Sequence, residues 1–272
     1  MFINNIYKKI YKVMRLKRYS EINENKMWYK TIPEILAWLE SKSSMPWVWL
    51  DTETTGLGGP KVQQLTQVSA IATEYDFSNG FKELESYDQK IKLDDETKKK
   101  FSKTGDTTKK ILGFNHYGSG SFKYRQEEDV LVEFYDWLDR YSPCLLVAQN
   151  AGFDMNMLAG RSGSGIVNEV FDTKMLIQLY YIPALQKLAE TDEPAAEKVR
   201  QIGVSGRDNG LISSSLSKIG PALGINMTGY HDALTDCRLT IQMYEGMVAF
   251  LKVNSELDIS EYQAERIKSI RL

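Results

Sequence analysis

The stretch that decides the fold is Pro46-Trp47-Val48-Trp49-Leu50-Asp51-Thr52-Glu53-Thr54-Thr55-Gly56, in which an apolar run ends in two carboxylates separated by one residue. Short, continuously apolar runs bounded by turn residues are typical of buried strands. Because side chains alternate across a strand, Asp51 and Glu53 point to the same side. Carboxylates held this close favour a divalent cation between them, since Mg²⁺ and Mn²⁺ prefer such oxygens. The alternative is an ordinary polar turn at the strand end.

A second stretch, Leu145 to Asp154, repeats this pattern with an apolar run, a polar turn and a carboxylate that opens a helix. Asp154 is therefore a candidate metal ligand, although Asp is also a common helix N-cap. Asp172 has the same appearance before a predicted helix over 174–181. We assign Asp172 as a cap and Asp154 as a ligand because of a third stretch, nearer the C-terminus.

The third stretch, Gly229 to Arg238, runs into an apolar helix and contains His231 and Asp236. Positions five apart diverge by about 140° on a helix, so these two residues cannot share a helical face. His231 is therefore predicted on the preceding loop, bending back toward the carboxylate. A lone histidine is more often structural, but one on a glycine-flanked loop in front of an inward-facing acid is unlike a core histidine.

Together the three stretches resemble the DnaQ-like 3′→5′ exonuclease family, in the branch called DEDDh after its four acids and one histidine. DTETTG at 51–56, QNAGFD at 149–154, and His231 with Asp236 match the family motifs in chain order. The sister branch has a tyrosine four residues before the last acid, where this chain has Asp232. One departure is Gln149, where many relatives carry a second histidine. The resemblance spans roughly residues 46–250, and three ordered motifs are far more specific than one.

The resemblance implies an α/β, ribonuclease H-like fold with a mixed five-stranded sheet flanked by helices. It also implies two divalent cations, Mg²⁺ or Mn²⁺, that stabilise the attacking and leaving oxygens of phosphodiester hydrolysis. His231 would be the general base, a task suited to its near-neutral pKa. The implied metal ligands are Asp51, Glu53, Asp154 and Asp236. Of these, Asp51 would bridge the two cations. The residues implied to hold the terminal nucleotide are Thr54, Thr55, Gly56, Leu57, Asn150 and Phe153.

The implied function is removal of nucleoside 5′-monophosphates from the 3′ end of nucleic acid, with single-stranded DNA as the favoured substrate. An RNA-trimming exonuclease, similar to ribonuclease T or oligoribonuclease, shares every motif, because discrimination at the 2′-OH depends on pocket shape. Two further alternatives are a polymerase proofreading subunit with a replication or repair partner and a catalytically silent nucleic-acid-binding domain. The silent domain predicts a missing ligand, and the sequence lacks none.

Three regions are predicted along the 272 residues. Residues 1–30 form a basic N-terminal extension with apolar residues at helical spacing. Residues 31–252 form the exonuclease domain, with insertions near 94–125 and 183–212, and residues 253–272 form a helical tail. The basic and aromatic residues of the first insertion suit a single-stranded nucleic acid, with a solvated surface segment as the equal alternative.

The composition is that of a soluble globular protein, with 42% hydrophobic and 26% charged residues and a net charge of −2. This charge excludes a globally basic surface, so nucleic-acid binding requires a local basic patch or bound metal. Cys144 and Cys237 form no CxxC pair, which favours a reducing, cytoplasmic compartment. The sequence contains no apolar run of about 18 residues, so it predicts no membrane span. No feature of the sequence requires a particular oligomeric state.

Overall fold

The computed structural model of the chain describes residues 31–76, 78–102, 123–206 and 210–270. The basic extension predicted at residues 1–30 and most of the insertion predicted at 94–125 lie outside these residues. Within the described part of the chain, none of the helices combines the length and the apolar character that crossing a membrane requires.

Five strands form one mixed sheet in the order β3-β2-β1-β4-β5. The central strand β1 pairs antiparallel with β2 and parallel with β4. The β2–β3 pair is antiparallel and the β4–β5 pair is parallel. The predicted mixed five-stranded sheet is therefore confirmed. The strand bounds are β1 (Trp47–Thr54), β2 (Leu65–Asp76), β3 (Gly80–Lys90), β4 (Leu145–Ala148) and β5 (Glu169–Asp172).

Helices pack on both faces of this sheet, as the alternation of β1 shows. Trp47 and Trp49 belong to a core cluster that also contains residues of the helices Ile32–Glu40 and Ala233–Val253. Val48 and Leu50 belong to a second cluster, with residues of the helices Glu127–Asp139 and Ala151–Ser162. The sheet thus separates two hydrophobic cores. The helix bounds are α1 (Ile32–Glu40), α2 (Asp95–Ser102), α3 (Glu127–Asp139), α4 (Ala151–Ser162), α5 (Thr173–Leu176), α6 (Ile182–Ala189), α7 (Glu193–Ile202), α8 (Leu216–Ala222), α9 (Ala233–Val253) and α10 (Ser260–Ile270), with a π-helical turn (Ile177–Tyr181) joining α5 to α6.

The C-terminal helix α10 is anchored to the domain by two buried polar side chains. Gln263 Nε2 donates to the carbonyl of Leu179 at 2.8 Å, and Arg266 Nη2 donates to the carbonyl of Ile212 at 2.9 Å. These bonds join α10 to the π-helical turn and to the segment before α8. The described part of the predicted tail is therefore packed into the fold, while the domain boundary itself stays a prediction.

Candidate active site

Asp51 and Glu53 lie at the carboxyl end of β1, next to the carboxyl end of the parallel strand β4. Both side chains are half-buried, whereas Thr52 between them is buried. The carboxyl ends of adjacent parallel strands meet at one edge of a sheet, which is where α/β proteins commonly bind ligands. The first and second motifs therefore meet at this edge.

Asp154 lies in the first turn of α4 and is buried. Its Oδ1 accepts two hydrogen bonds from Thr52, one from the backbone N–H at 3.0 Å and one from the hydroxyl at 2.7 Å. These bonds tie the second motif directly to β1. They also orient the Asp154 carboxylate beside the two acids of that strand.

His231 and Asp236 lie on either side of the start of α9. His231 is on the preceding loop, as predicted, with a φ of 74°, and Asp236 is in the first helical turn and buried. The His231 backbone N–H lies 3.4 Å from both carboxylate oxygens of Asp236. The left-handed backbone of His231 is uncommon outside glycine and turns the chain back toward this acid.

Three of the predicted residues offer ligand atoms to one point. One ligand atom from each of Glu53, His231 and Asp236 lies within 4.8 Å of the others. Carboxylate oxygens with an imidazole nitrogen suit Mn²⁺ and other divalent ions, so these residues fit a cation. The grouping places the imidazole within reach of the same ion as the acids. The assignment of Asp51 as a bridge and of His231 as the base stays a prediction.

Burial raises the pKa values of all four acids, and neighbouring acids of the cluster raise those of Asp51 and Glu53 further. Burial, followed by the charges of Asp154 and Asp236, raises the pKa of Asp51 well above its usual value. Burial and the charge of Asp236 raise the pKa of Glu53 to about 8, and burial raises the pKa of Asp236 to about 8. For Asp154, burial raises the pKa to about 7 against the opposing hydrogen bonds from Thr52. Such a cluster fits positive charge, because a cation relieves both the repulsion and the buried charge.

A second polar group supports the loop that carries His231, and sequence reasoning missed it. Lys90 Nζ donates to Asp232 Oδ2 at 2.9 Å, and Gln67 Nε2 donates to the same oxygen at 3.1 Å. The backbone N–H of Ala233 in turn lies 3.3 Å from Gln67 Oε1. Although burial opposes it, Lys90 holds the pKa of Asp232 below its usual value. The aspartate that the sequence marked only as a branch difference is thus an anchor to β2 and β3.

Of the residues predicted to hold the terminal nucleotide, Leu57 stands out because its side chain is 73% exposed. Asn150 is exposed in a left-handed backbone conformation, and Phe153 is half-buried against the second core cluster. The hydroxyls of Thr54 and Thr55 donate within their own loop, to the Gly56 carbonyl at 2.8 Å and to Gln63 Oε1 at 2.6 Å. The two threonines therefore shape the loop that presents Leu57.

Two further sequence assignments concern caps and supports. Asp172 caps α5 by accepting from the backbone N–H of Lys174 at 2.9 Å, which confirms its assignment as a cap. Gln149 Nε2 donates to the Ser214 carbonyl at 3.0 Å, and Gln149 Oε1 accepts from the Thr173 hydroxyl at 2.5 Å. The position where many relatives have histidine therefore holds local structure together here.

The family model described as Exonuclease (RNase_T) matches residues 48–244, a range that contains all three motifs. The chain belongs to this exonuclease family. This family is one of 3′–5′ exonucleases, which are phosphodiester hydrolases, and the chain has the α/β, ribonuclease H-like fold expected of its members. Members of the family generally use divalent metal ions, and the cluster of Glu53, His231 and Asp236 suits them.

Several solved structures are similar to this exonuclease at low sequence identity. Cell-death related nuclease 4 is 14% identical over 75% of this chain and 64% of that chain, with a TM-score of 0.44. The RNase domain of the yeast Pop2 protein is 9% identical over 82% of this chain and 83% of that chain, with a TM-score of 0.44. The structure of the yeast NOT1 MIF4G domain co-crystallized with CAF1 contains a match that is 10% identical over 81% of this chain and 84% of that chain, with a TM-score of 0.40. The chain covers 64% of the nuclease 4 chain, which is less than two thirds of its length. The comparison with curated proteins found no significant match.

Proposed function

We propose that this exonuclease removes nucleoside 5′-monophosphates from the 3′ end of single-stranded DNA, using two divalent cations, Mg²⁺ or Mn²⁺. The observation that carries the proposal is the convergence of Glu53, His231 and Asp236 ligand atoms within 4.8 Å. Asp51 and Asp154 add their charges to the same cluster. The proximity of these groups from three separate motifs supports metal-dependent phosphodiester hydrolysis as the reaction.

In the proposed mechanism the residues divide between holding charge and moving a proton. Asp51, Glu53, Asp154 and Asp236 would hold the cations, which when bound neutralise charge on the phosphate and make a water more acidic. His231 would take a proton from the attacking water at an imidazole nitrogen. Thr52 supports this arrangement by fixing Asp154 Oδ1 through two hydrogen bonds.

The proposed substrate contacts follow from exposure near the cluster. The exposed Leu57 side chain offers an apolar surface for the terminal base, and the backbone of 54–56 would lie along its sugar. Asn150 and Phe153 would line the same pocket from the start of α4. A 3′ end is selected if this pocket closes behind the last sugar.

The testing experiment is cleavage of matched 5′-labelled DNA and RNA oligomers of one sequence, each with Mg²⁺, with Mn²⁺ and with chelator. Asp51→Asn removes one charge from the cluster and should abolish cleavage. Asp136→Asn makes the same change on the exposed side of α3 and should leave cleavage unchanged. We expect metal-dependent ladders that shorten from the 3′ end, faster on DNA than on RNA.

Other outcomes would contradict specific parts of the proposal. Faster shortening of the RNA would replace DNA as the substrate, and cleavage retained by Asp51→Asn would overturn the metal assignment. Binding without cleavage of either polymer would favour a silent domain or a nuclease activated by a polymerase or repair partner. Such a partner, and a cytoplasmic location, stay predictions.

A further inference from the structure

The ring of Tyr230 lies against the imidazole of His231 in a tilted contact. The two ring centroids lie 3.9 Å apart, with an angle of 34° between the ring planes. At this distance and angle the two rings are in direct, tilted contact. One face of the candidate general base is therefore covered by a neighbouring side chain.

Tyr230 is itself held in place. Its ring packs against the core cluster that contains residues of α1 and α9. Burial raises the pKa of Tyr230 to about 12. The phenol is therefore neutral at physiological pH, and its packed ring covers one side of the imidazole.

The backbone on the other side of His231 is also fixed. Asp232 accepts from Lys90 and Gln67, which belong to β3 and β2, and it caps α9 by accepting from the Thr235 backbone N–H at 3.2 Å. These contacts set the backbone of the loop but leave rotation about the side-chain bonds of His231 undetermined. The Tyr230 ring lies against the imidazole and limits this rotation.

We propose that Tyr230 is a positioning residue, which holds the His231 imidazole beside Glu53 and Asp236 before metal and substrate bind. The inference rests on the proposed function, because it assumes that His231 takes part in cleavage. It assigns a role to a residue outside the family motifs. It requires that the position of the His231 imidazole depends on the aromatic ring of Tyr230 more than on the Tyr230 hydroxyl.

The first test is a double-mutant cycle on the full chain. Tyr230→Leu keeps an apolar side chain but removes the ring, and we expect kcat to fall about tenfold with a smaller change in KM. Tyr230→Phe keeps the ring and should retain most of the wild-type kcat. In a His231→Ala background, Tyr230→Leu should cause no further loss, because a residue that acts through His231 has nothing left to position.

A merely structural role gives a different result in the same cycle. If Tyr230→Leu only loosened the fold, its effect would persist in the His231→Ala background, and that outcome would overturn the inference. Tyr262→Leu is the matched control, since the Tyr262 hydroxyl donates to Glu190 at the α6–α7 turn. It should leave kcat unchanged in both backgrounds.

The second test does not depend on activity. The chain has 2 histidines, so the imidazole protons of His231 can be assigned by their loss in His231→Ala. In the metal-free protein, stacking should displace these proton resonances upfield, and the displacement should survive Tyr230→Phe and disappear in Tyr230→Leu. Resonances at ordinary positions in the wild type would overturn the inference. A chain that shows the displacement but cleaves no nucleic acid would refute the proposed function alone.

Discussion

Thr52 connects the first two motifs although it carries no charge. It stands between Asp51 and Glu53, and its backbone N–H and hydroxyl both donate to Asp154 Oδ1. A hydrogen bond to a carboxylate favours the charged form, so these bonds oppose the burial that raises the pKa of Asp154 to about 7. The middle residue of the first motif thus keeps the acid of the second motif ready to bind a cation.

Removing the Thr52 hydroxyl should therefore weaken metal use. Thr52→Val keeps the shape of the side chain but removes one donor, so the pKa of Asp154 should rise further above about 7. More Mg²⁺ is then needed for half-maximal cleavage at pH 7, and less of this increase remains at pH 8.5. The free energy of unfolding should change by about 1 kcal/mol, as for one hydrogen bond.

Thr66→Val is the matched control for this prediction. The Thr66 hydroxyl is buried in β2 and has no hydrogen-bond partner among the described residues. The same substitution there should leave the Mg²⁺ requirement unchanged and should not destabilise the protein, because it removes an unsatisfied polar atom. An equal rise in the Mg²⁺ requirement for both variants would contradict the role given to Thr52.

The charged residues of the site could be predicted from the sequence, whereas the residues that hold them could not. Asp51, Asp154 and His231 each stand in a short local pattern that reports its own chemistry. The supporting contacts join distant positions: Thr52 to Asp154 across 102 residues, and Gln67 to Asp232 across 165. Such pairs depend on strand register and helix placement, which no local pattern specifies.

The helix α9 approaches the sheet closely at Cys237, the residue after Asp236. The Cys237 sulfur lies 3.6 Å from the Trp49 carbonyl of β1 and 3.6 Å from the Ser69 carbonyl of β2. A small side chain is needed for a helix to lie this near two strands. The distance between α9 and the sheet at this point therefore sets how close Asp236 lies to the carboxyl end of β1.

A larger residue at this contact should therefore affect both stability and activity. Cys237→Leu adds volume to a packed contact, so the free energy of unfolding should fall by about 1–3 kcal/mol. The displaced helix would also move Asp236, and kcat should fall with it. Urea unfolding and cleavage rates measure the two effects.

Cys237→Ala is the comparison, since it removes the sulfur without adding volume. It should retain activity close to that of the wild type. Retained activity in Cys237→Leu, despite a loss of stability, would show that the position of Asp236 does not depend on this contact.

Secondary structure was predictable where one element carried its own pattern. The β1 strand follows from its apolar run and the turn residues that bound it. The anchoring of α10 could not be inferred in the same way, because Gln263 and Arg266 look like surface residues of a polar helix. Their burial depends on the carbonyls of Leu179 and Ile212, which only the folded chain brings to them.

When no cation is bound, the acid cluster makes the stability of the folded protein depend on pH. Burial raises the pKa values of Asp51, Glu53, Asp154 and Asp236, and the charges of neighbouring cluster acids raise those of Asp51 and Glu53 further. The folded protein therefore keeps protons that the unfolded chain, with aspartate pKa values near 4, has already released. These groups contribute their full stability below about pH 4 and lose it as the pH rises through the folded-state values near 7 and 8.

The stability of the metal-free protein should therefore depend on Asp236 in a pH-dependent way. In chelator, Asp236→Asn should melt at nearly the wild-type temperature at pH 4, because a protonated aspartate and an asparagine are both neutral. The variant should then melt increasingly above the wild type up to about pH 8, where Asp236 is charged. Added Mg²⁺ should raise the wild-type melting temperature and reverse the order, because a ligand that binds only the folded state stabilises it. Asp136→Asn, on the exposed side of α3, should follow the wild type throughout. A constant difference between wild type and Asp236→Asn across this pH range would show that burial of the Asp236 carboxylate does not cost the stability assigned to it.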